Sequence, residues 1–346
     1  DLVFDQTQQG EPRGKWASGL CAAFVARAPI VDGQPHVVAT YRPETVADLD
    51  SLLGRAIELG VDRDALARAL DDYYRRSVFD RRQDVRGWTH GLYAIVVLVV
   101  QRPVALVGTP GRSIEVLPYV VRYEVDAQSP FERKASVHPA FHAHALSPDL
   151  LARTSGHPTQ ATTQKLVLLG CGSLGSKIGL HLGRAGFGNL TFVDNEGMSP
   201  HNLARHALVD EMSGLLPPNK AEQMKAAFAK LSHADARAVD GDAVSVLSDA
   251  ARFAAVVPDD VTLIVDATAS LQVLAAASKA APLAGCSARL VRAAMYGQGR
   301  CAVLMLEGPG RTVRVDDLAA LLFEHCRAKP EVRVAIAGDS TEPTRV

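Results

Sequence analysis

The sequence predicts an α/β protein whose C-terminal half is built on a mostly parallel sheet, preceded by a smaller α+β domain. Three observations within one stretch predict this class: the apolar run Lys165–Leu169 ends in a glycine-rich turn, helical spacing follows the turn, and a second apolar run, 190–193, ends in an acid. A short, almost wholly apolar run is typical of a strand buried on both faces of a parallel sheet. The stretch therefore indicates strand, turn, helix and strand in succession.

The glycine-rich turn is the first candidate binding element. It consists of Gly170, Cys171, Gly172, Ser173, Leu174 and Gly175. Glycines let backbone N–H groups approach a phosphate closely, and a helix N-terminus behind them adds partial positive charge. Asp194 ends the second strand, where an acid can accept hydrogen bonds from ribose hydroxyls. The combination predicts a nucleotide site, the alternative being glycines that serve only the turn and helix packing.

Residues downstream of Asp194 indicate which nucleotide binds. A polar segment carries Asn202 and Arg205, Lys220 opens a helix, and the apolar run 261–265 delivers Asp266. Arginine and lysine neutralise phosphate oxygens, and a carboxylate at a strand end can hold Mg²⁺. We therefore expect ATP and Mg²⁺, although Asp266 could instead cap the helix that follows it.

At these residues the sequence resembles the adenylyltransferase domain of ubiquitin-activating enzymes and their bacterial ThiF and MoeB relatives, over about 165–310. The family's motifs match Gly170, Gly172, Gly175, the ribose acid Asp194, the Asn-Leu-Asn-Arg motif at 202–205, the phosphate lysine Lys220 and the metal acid Asp266. Ala204 replaces the second Asn of that motif, which puts one phosphate or metal contact in doubt.

The resemblance implies a Rossmann-like adenylation domain that activates the C-terminal carboxylate of a ubiquitin-like β-grasp protein ending in Gly. Arg205, Lys220 and Asp266 would be its catalytic residues, and Asn202 would contact phosphate. A thioester could follow on Cys326 or Cys286, neither of which the sequence favours. Homodimerisation and a conjugating-enzyme-like partner are further implications of the resemblance.

Composition excludes several other classes. The 346 residues carry 37 basic and 38 acidic side chains, so no nucleic-acid partner is implied by charge. No apolar run reaches the length of a membrane span. Five cysteines without a Cys-x-x-Cys pair argue for a reducing, cytoplasmic location and against the zinc site of sulfur-carrier relatives.

The region 1–155 is predicted to be an accessory α+β domain, and 164–346 the adenylation domain, whose C-terminal part need not be complete. A hairpin is expected around the turn 31–34, with helices at 43–59 and 61–76 and strands at 93–100, 104–107 and 116–125. The accessory domain could be a degenerate adenylation half, a relative of conjugating enzymes or a dimerisation platform. Cys21 is interpreted as a core residue.

The segment 153–163, rich in Thr, Ser, Gly and Pro, is the predicted domain boundary. Just before it, His138, His142 and His144 are interpreted as linker residues rather than metal ligands, because no nearby Cys or acid completes a ligand set.

Three other functions fit parts of the pattern. An NAD-dependent oxidoreductase uses the same glycine turn and acid, but it gives no reason for Arg205 and Lys220. An adenylating enzyme for a peptide, a small molecule or a tRNA base is the stronger alternative. A nucleotide-binding scaffold without catalysis is the third.

Overall fold

The computed structural model describes residues 2–5, 16–19, 22–81, 92–106, 111–124, 134–140, 146–209 and 217–337. The chain forms two compact units, Asp1–His144 and Ala145–Val346. Each unit has its own β-sheet structure and hydrophobic core.

The first unit contains six strands and two helices among its described residues. The strands are β1 (Leu2–Asp5), β2 (Trp16–Gly19), β3 (Ala22–Arg27), β4 (Leu92–Gln101), β5 (Ile114–Glu124) and β6 (Lys134–Pro139), and the helices are α1 (Leu49–Glu58) and α2 (Arg63–Arg81). Strands β1 and β2 pair with each other, and a four-stranded sheet has the order β3-β4-β5-β6. Helices and sheet share a core that includes Leu52, Leu70, Leu98 and Tyr123.

Local signals explain where the two helices begin. The Asp48 carboxylate accepts the N–H of Ser51 at 2.8 Å, and the Ser51 hydroxyl accepts the N–H of Asp48 at 3.0 Å. This reciprocal pair is a capping box, which satisfies backbone N–H groups that a helix start leaves without partners. At the start of α2, Asp62 likewise accepts the N–H of Ala65 at 2.9 Å.

The predicted N-terminal hairpin is wrong. The turn exists, with Asp32 and Gly33 at positive φ, but it closes a single bridge between Val31 and Gln34. Strand β3 instead pairs in parallel with β4, because the apolar β4 alternates one buried and one half-buried side chain and offers a longer ladder than the segment 36–41. The described residues of the predicted strand at 104–107 form no strand either, whereas β6 was not predicted.

The second unit contains six strands and ten α-helices among its described residues. Its strands are β7 (Lys165–Leu169), β8 (Leu190–Asp194), β9 (Arg237–Asp240), β10 (Val261–Asp266), β11 (Arg289–Tyr296) and β12 (Cys301–Leu306). Its helices are α3 (Pro148–Thr154), α4 (Thr159–Thr162), α5 (Ser173–Arg184), α6 (Lys220–Lys230), α7 (Ala243–Ser248), α8 (Ala250–Val256), α9 (Leu271–Lys279), α10 (Ala281–Ala284), α11 (Val315–Ala328) and α12 (Pro330–Ala337). The predicted boundary segment 153–163 holds the end of α3 and all of α4.

The six strands form one sheet in the order β12-β11-β10-β7-β8-β9. All neighbouring pairs are parallel except β11 and β12, so β12 is an antiparallel edge strand. The predicted α/β class with a mostly parallel sheet is confirmed.

Helices cover both faces of this sheet. One face packs Leu168 and Phe192 against α6, and the other packs Val167 and Ile264 against the helices that follow β9 and β10. Helix α5 lies very close to the first face because its buried positions are small. A Cβ added at Gly179 would lie 3.0 Å from Cε1 of Phe192 on β8, so glycine allows this close packing.

Within the described ranges, no helix has the length and apolar character needed to cross a bilayer.

Candidate active site

A cavity of about 280 Å³ opens where β7 and β10 end. These neighbouring strands lead into helices on opposite faces of the sheet, and such a switch point is where open α/β sheets bind ligands. The lining residues are Ser173, Leu174, Asn202, Arg205, His206, Ala267, Thr268, Ala269 and Met295. The described lining therefore contains no carboxylate.

The predicted glycine turn forms one wall of the cavity. Gly170 has φ +86°, and Gly175 approaches so closely that an added Cβ would lie 1.9 Å from the carbonyl oxygen of Gly170. Gly172 is the N-cap of α5, and no side chain caps the helix. The N–H groups of the first turn of α5 are thus arranged to bind an anion.

Asp194 is held at the end of β8 beside the glycine turn. One carboxylate oxygen accepts the N–H of Cys171 at 2.6 Å, and the other accepts the N–H of Glu196 at 2.8 Å. Each carboxylate oxygen has a second lone pair, so the partly exposed side chain can still accept hydroxyl hydrogen bonds. The position is compatible with the predicted contact to a ribose.

Arg205 supplies an exposed cation at the cavity. It directly follows a short 3-10 helix, Pro200–Ala204, in which the buried Asn202 accepts the N–H of Ser199 at 2.8 Å. Lys177, on α5, donates hydrogen bonds to the carbonyl oxygens of Arg205 and Ser173. These bonds connect the 3-10 helix to the first turn of α5, so both sides of the anion site are held together.

Lys220 is buried and paired rather than exposed to the cavity. Its ammonium lies 2.5 Å from Oε2 of Glu196, and the Lys220 side chain is 5% exposed whereas that of Glu196 is 71% exposed. The hydrogen bond from Lys220 lowers the pKa of Glu196. The predicted phosphate lysine therefore has a carboxylate partner that a phosphate would have to replace.

The buried His206 side chain hydrogen-bonds to the glycine turn. Its Nε2 lies 2.8 Å from the carbonyl oxygen of Cys171, and its Nδ1 accepts the N–H of Leu208 at 3.1 Å. This pattern requires the neutral tautomer with hydrogen on Nε2, and burial lowers the pKa of His206. Burial and nearby Asp194 raise the pKa of the Cys171 thiol, which is consistent with a structural Cys171.

Asp266, the predicted magnesium ligand, lies in a buried ion pair. Asp266 and Arg292 are aligned across β10 and β11, are 2% and 3% exposed, and are joined by a hydrogen bond from Nη1 of Arg292 to Oδ2. The other oxygen accepts the N–H of Thr268 at 2.9 Å and its hydroxyl at 2.6 Å. Mg²⁺ requires open oxygen ligands, so these residues do not fit the predicted metal site. The described residues also contain no cluster of three or more His, Cys, Asp or Glu side chains suited to a metal ion.

A model of the ThiF family matches residues 152–328, which is just over half of the chain. The chain belongs to the ThiF family. This match confirms the resemblance that the glycine turn, Asp194 and Arg205 indicate.

Individual relatives of this ThiF-family chain are distant. The uncharacterized protein y4oA of Sinorhizobium fredii (strain NBRC 101917 / NGR234) is 38% identical over 72 residues, or 21% of this chain and 12% of that protein. The ThiF-family chain thus spans about an eighth of that relative.

Solved structures show weaker similarity. E. coli MccB with ATP is 19% identical, and the alignment covers 54% of this chain and 63% of the MccB chain with a TM-score of 0.37. E. coli tRNA N6-threonylcarbamoyladenosine dehydratase TcdA with ATP is 24% identical, and the alignment covers 40% of this chain and 54% of the TcdA chain with a TM-score of 0.32. The family assignment rests on the sequence match alone.

The two candidate thioester cysteines do not line the cavity. Cys326 is half-buried on α11, and Cys286 is half-buried in the turn after α10, where its sulfur accepts the N–H of Ala288 at 3.4 Å. Of the three linker histidines, His138 lies in β6, while His142 and His144 fall outside the described residues, as does Cys21.

Sequence reasoning missed several residues of the site, including Lys177, Glu196, His206 and Arg292 and the lining residues Ala267, Thr268, Ala269 and Met295. A polar residue in a strand buried among apolar neighbours was a usable signal for Arg292, since such a charge requires a partner. His206 and Glu196 gave no such signal, because their contacts depend on how loops fold back on the turn.

We expect substitutions in the glycine turn to separate folding from binding. Gly175→Ala should cost about 3 kcal/mol of unfolding free energy, because its Cβ would overlap the Gly170 carbonyl. Gly172→Ala should change stability by less than about 1 kcal/mol, since no atom beyond its chain neighbours lies within 4 Å of the added Cβ, yet it should weaken nucleotide binding at least about tenfold. Denaturant unfolding and calorimetry with ATP measure the two effects. Unchanged ATP affinity in Gly172→Ala would contradict a phosphate at this turn.

Proposed function

We propose that the chain is an ATP-dependent adenylyltransferase that activates a terminal carboxylate. The observation that supports this proposal is a single cavity that combines the uncapped N-terminus of α5 with Arg205 and carries no acidic lining in the described part of the chain. A cation and convergent N–H groups favour phosphate oxygens. Asp194, beside the glycine turn, would hold the ribose.

In the proposed reaction, a carboxylate oxygen of the substrate attacks the α-phosphorus of ATP. The bond from that phosphorus to the bridging oxygen of the β-phosphate breaks, pyrophosphate leaves with the electron pair, and an acyl adenylate remains. Catalysis of this kind depends on positioning and charge neutralisation rather than on a covalent enzyme intermediate. Arg205 and the first turn of α5 would balance the negative charge on the phosphates.

We expect Glu196→Gln to strengthen ATP binding. Glu196 neutralises Lys220 and adds a negative charge close to the proposed phosphate site. Because Glu196 is largely exposed, its removal should gain at most about 1 kcal/mol, or roughly fivefold in affinity. Calorimetry measures the effect, and Glu222→Gln on α6 is the matched control. Weaker ATP binding in Glu196→Gln would mean that the carboxylate orders Lys220 for the nucleotide instead of competing with it.

We further propose that the substrate is a ubiquitin-like protein ending in Gly. ATP–pyrophosphate exchange, measured with candidate small proteins and with versions lacking the final Gly, tests this directly. Exchange that depends on the final Gly supports the proposal. Exchange with a short peptide, a small carboxylic acid or a tRNA base instead would assign the chain to the alternative adenylating class.

Nucleotide identity is tested separately by calorimetry with ATP and with NAD⁺. Binding of ATP alone is expected, since Arg205 and the α5 N-terminus suit a chain of phosphates. Binding of NAD⁺ alone would replace the proposal with an oxidoreductase. ATP binding without exchange for any substrate would indicate a nucleotide-binding scaffold.

Later steps and partners are also proposals. A thioester on Cys326 or Cys286 would appear as a reducing-agent-sensitive adduct that the corresponding Cys→Ala variant loses. A homodimer would appear in light scattering, and a conjugating-enzyme-like protein would accept the activated substrate. The unit Asp1–His144 would serve as an accessory domain for one of these interactions.

A further inference from the structure

We propose that this ThiF-family chain binds its nucleotide without contributing a ligand to a divalent cation, and that Asp266 is a positioning residue for the cavity wall. The inference rests on the proposed function, because it concerns the same nucleotide. It departs from the magnesium role that the sequence predicts for Asp266.

The Asp266 carboxylate is buried and already paired with a cation. Parallel pairing of β10 and β11 puts Asp266 directly beside Arg292, and both side chains are almost fully buried. A cation at Oδ2 would lie at a carboxylate that is 2% exposed and would place a second positive charge beside the buried guanidinium of Arg292. Two like charges that share one buried carboxylate are strongly unfavourable.

Asp266 also holds the turn that follows β10. Oδ1 of Asp266 accepts both the N–H and the hydroxyl of Thr268, and the Thr268 hydroxyl accepts the N–H of Ser270 at 3.2 Å. Ala269, between them, has φ +56°, which is uncommon for a residue other than glycine. Three residues of this turn, 267–269, line the cavity. Asp266 therefore sets the shape of the wall without facing the cavity itself.

The described lining of the cavity is positively charged. It contains Arg205 and no acid, and the Lys177 ammonium donates to the carbonyl oxygen of Arg205 itself. Glu196, which also feels the charge of Arg205, is already paired with Lys220. Phosphate charge would thus be balanced by side-chain cations and by the N-terminus of α5.

The test is calorimetry of the full chain with ATP, once in excess Mg²⁺ and once in EDTA. We expect the two dissociation constants to agree within about threefold. A loss of tenfold or more in EDTA that Mg²⁺ restores would overturn the inference while leaving the proposed function intact. Absence of ATP binding in both buffers would overturn the proposed function and this inference together.

Two further measurements test the positioning role. Thr268→Val removes the hydroxyl's hydrogen bonds with Asp266 and with the N–H of Ser270 but keeps the ion pair. It should therefore weaken ATP binding several-fold, by the same factor in both buffers. Mn²⁺ alone, followed by its electron paramagnetic resonance signal, should bind the wild type and Asp266→Asn equally poorly. Mn²⁺ binding that Asp266→Asn abolishes would overturn the inference.

Discussion

Replacing Arg292 with methionine is expected to cost about 3–5 kcal/mol of unfolding free energy. The substitution keeps most of the side-chain volume but leaves the carboxylate of Asp266 charged, 2% exposed and without its cation. Removing one partner of a buried ion pair is costly for this reason, even where the intact pair contributes little. Denaturant unfolding followed by circular dichroism measures the loss.

The matched control is Lys165→Met, also at a strand position of the same sheet. Lys165 pairs with Asp260 at 2.5 Å, but the two side chains are 50% and 61% exposed, so the loss should stay below about 1 kcal/mol. If both variants lost the same small amount, the Arg292–Asp266 pair would not be a buried contact. Asp266 would then again be available to a cation.

Replacing Arg205 with alanine is expected to lower ATP–pyrophosphate exchange by about 10²- to 10³-fold. Arg205 is the exposed cation in the described lining of the cavity, so its loss removes charge compensation where the proposed reaction would release pyrophosphate. Stability should change little, because the side chain is exposed.

Arg184→Ala is the control for Arg205→Ala, since it removes an exposed arginine at the opposite end of α5 from the cavity. Its exchange rate should equal that of the wild type. Near-normal exchange in Arg205→Ala would remove this arginine from the mechanism, and equal losses in both variants would indicate a general effect of net charge.

Most of the second unit could be predicted from the sequence, because its signals are local. Five of its six strands are nearly continuous apolar runs, and the glycine turn and the cap Asn219 fix where α5 and α6 begin. The Asn219 side chain accepts the N–H groups of Ala221 and Glu222, as a residue before a helix should. Such features require no knowledge of distant neighbours.

The first unit was predicted less well for the opposite reason. Strand β3 finds its partner about 70 positions away in β4, although a nearer turn at Asp32 and Gly33 suggests a hairpin. A turn signal identifies where the chain reverses, but the partner of a strand depends on which apolar surface is available. Helices α1 and α2, with their own capping signals, were predicted correctly in kind.

The site shows the same division between local and distant information. The glycine turn, Asp194 and Arg205 carry local motifs, and the fold brings them near one cavity. The partners of Asp266 and Lys220 in their ion pairs carry no such local motif. Arg292 follows Asp266 by 26 positions and Glu196 precedes Lys220 by 24, so both pairings depend on strand register and loop position.

The strand order of the second unit determines when during folding the cavity can exist. Its two walls follow β7 and β10, which are neighbours in the sheet although Val261 pairs with Lys165 across almost one hundred positions of chain. Contacts between residues this far apart in sequence form later than local ones, so the glycine turn forms before its opposite wall arrives. A nascent chain that has not yet reached Val261 would therefore carry the glycine turn without the second wall of the cavity.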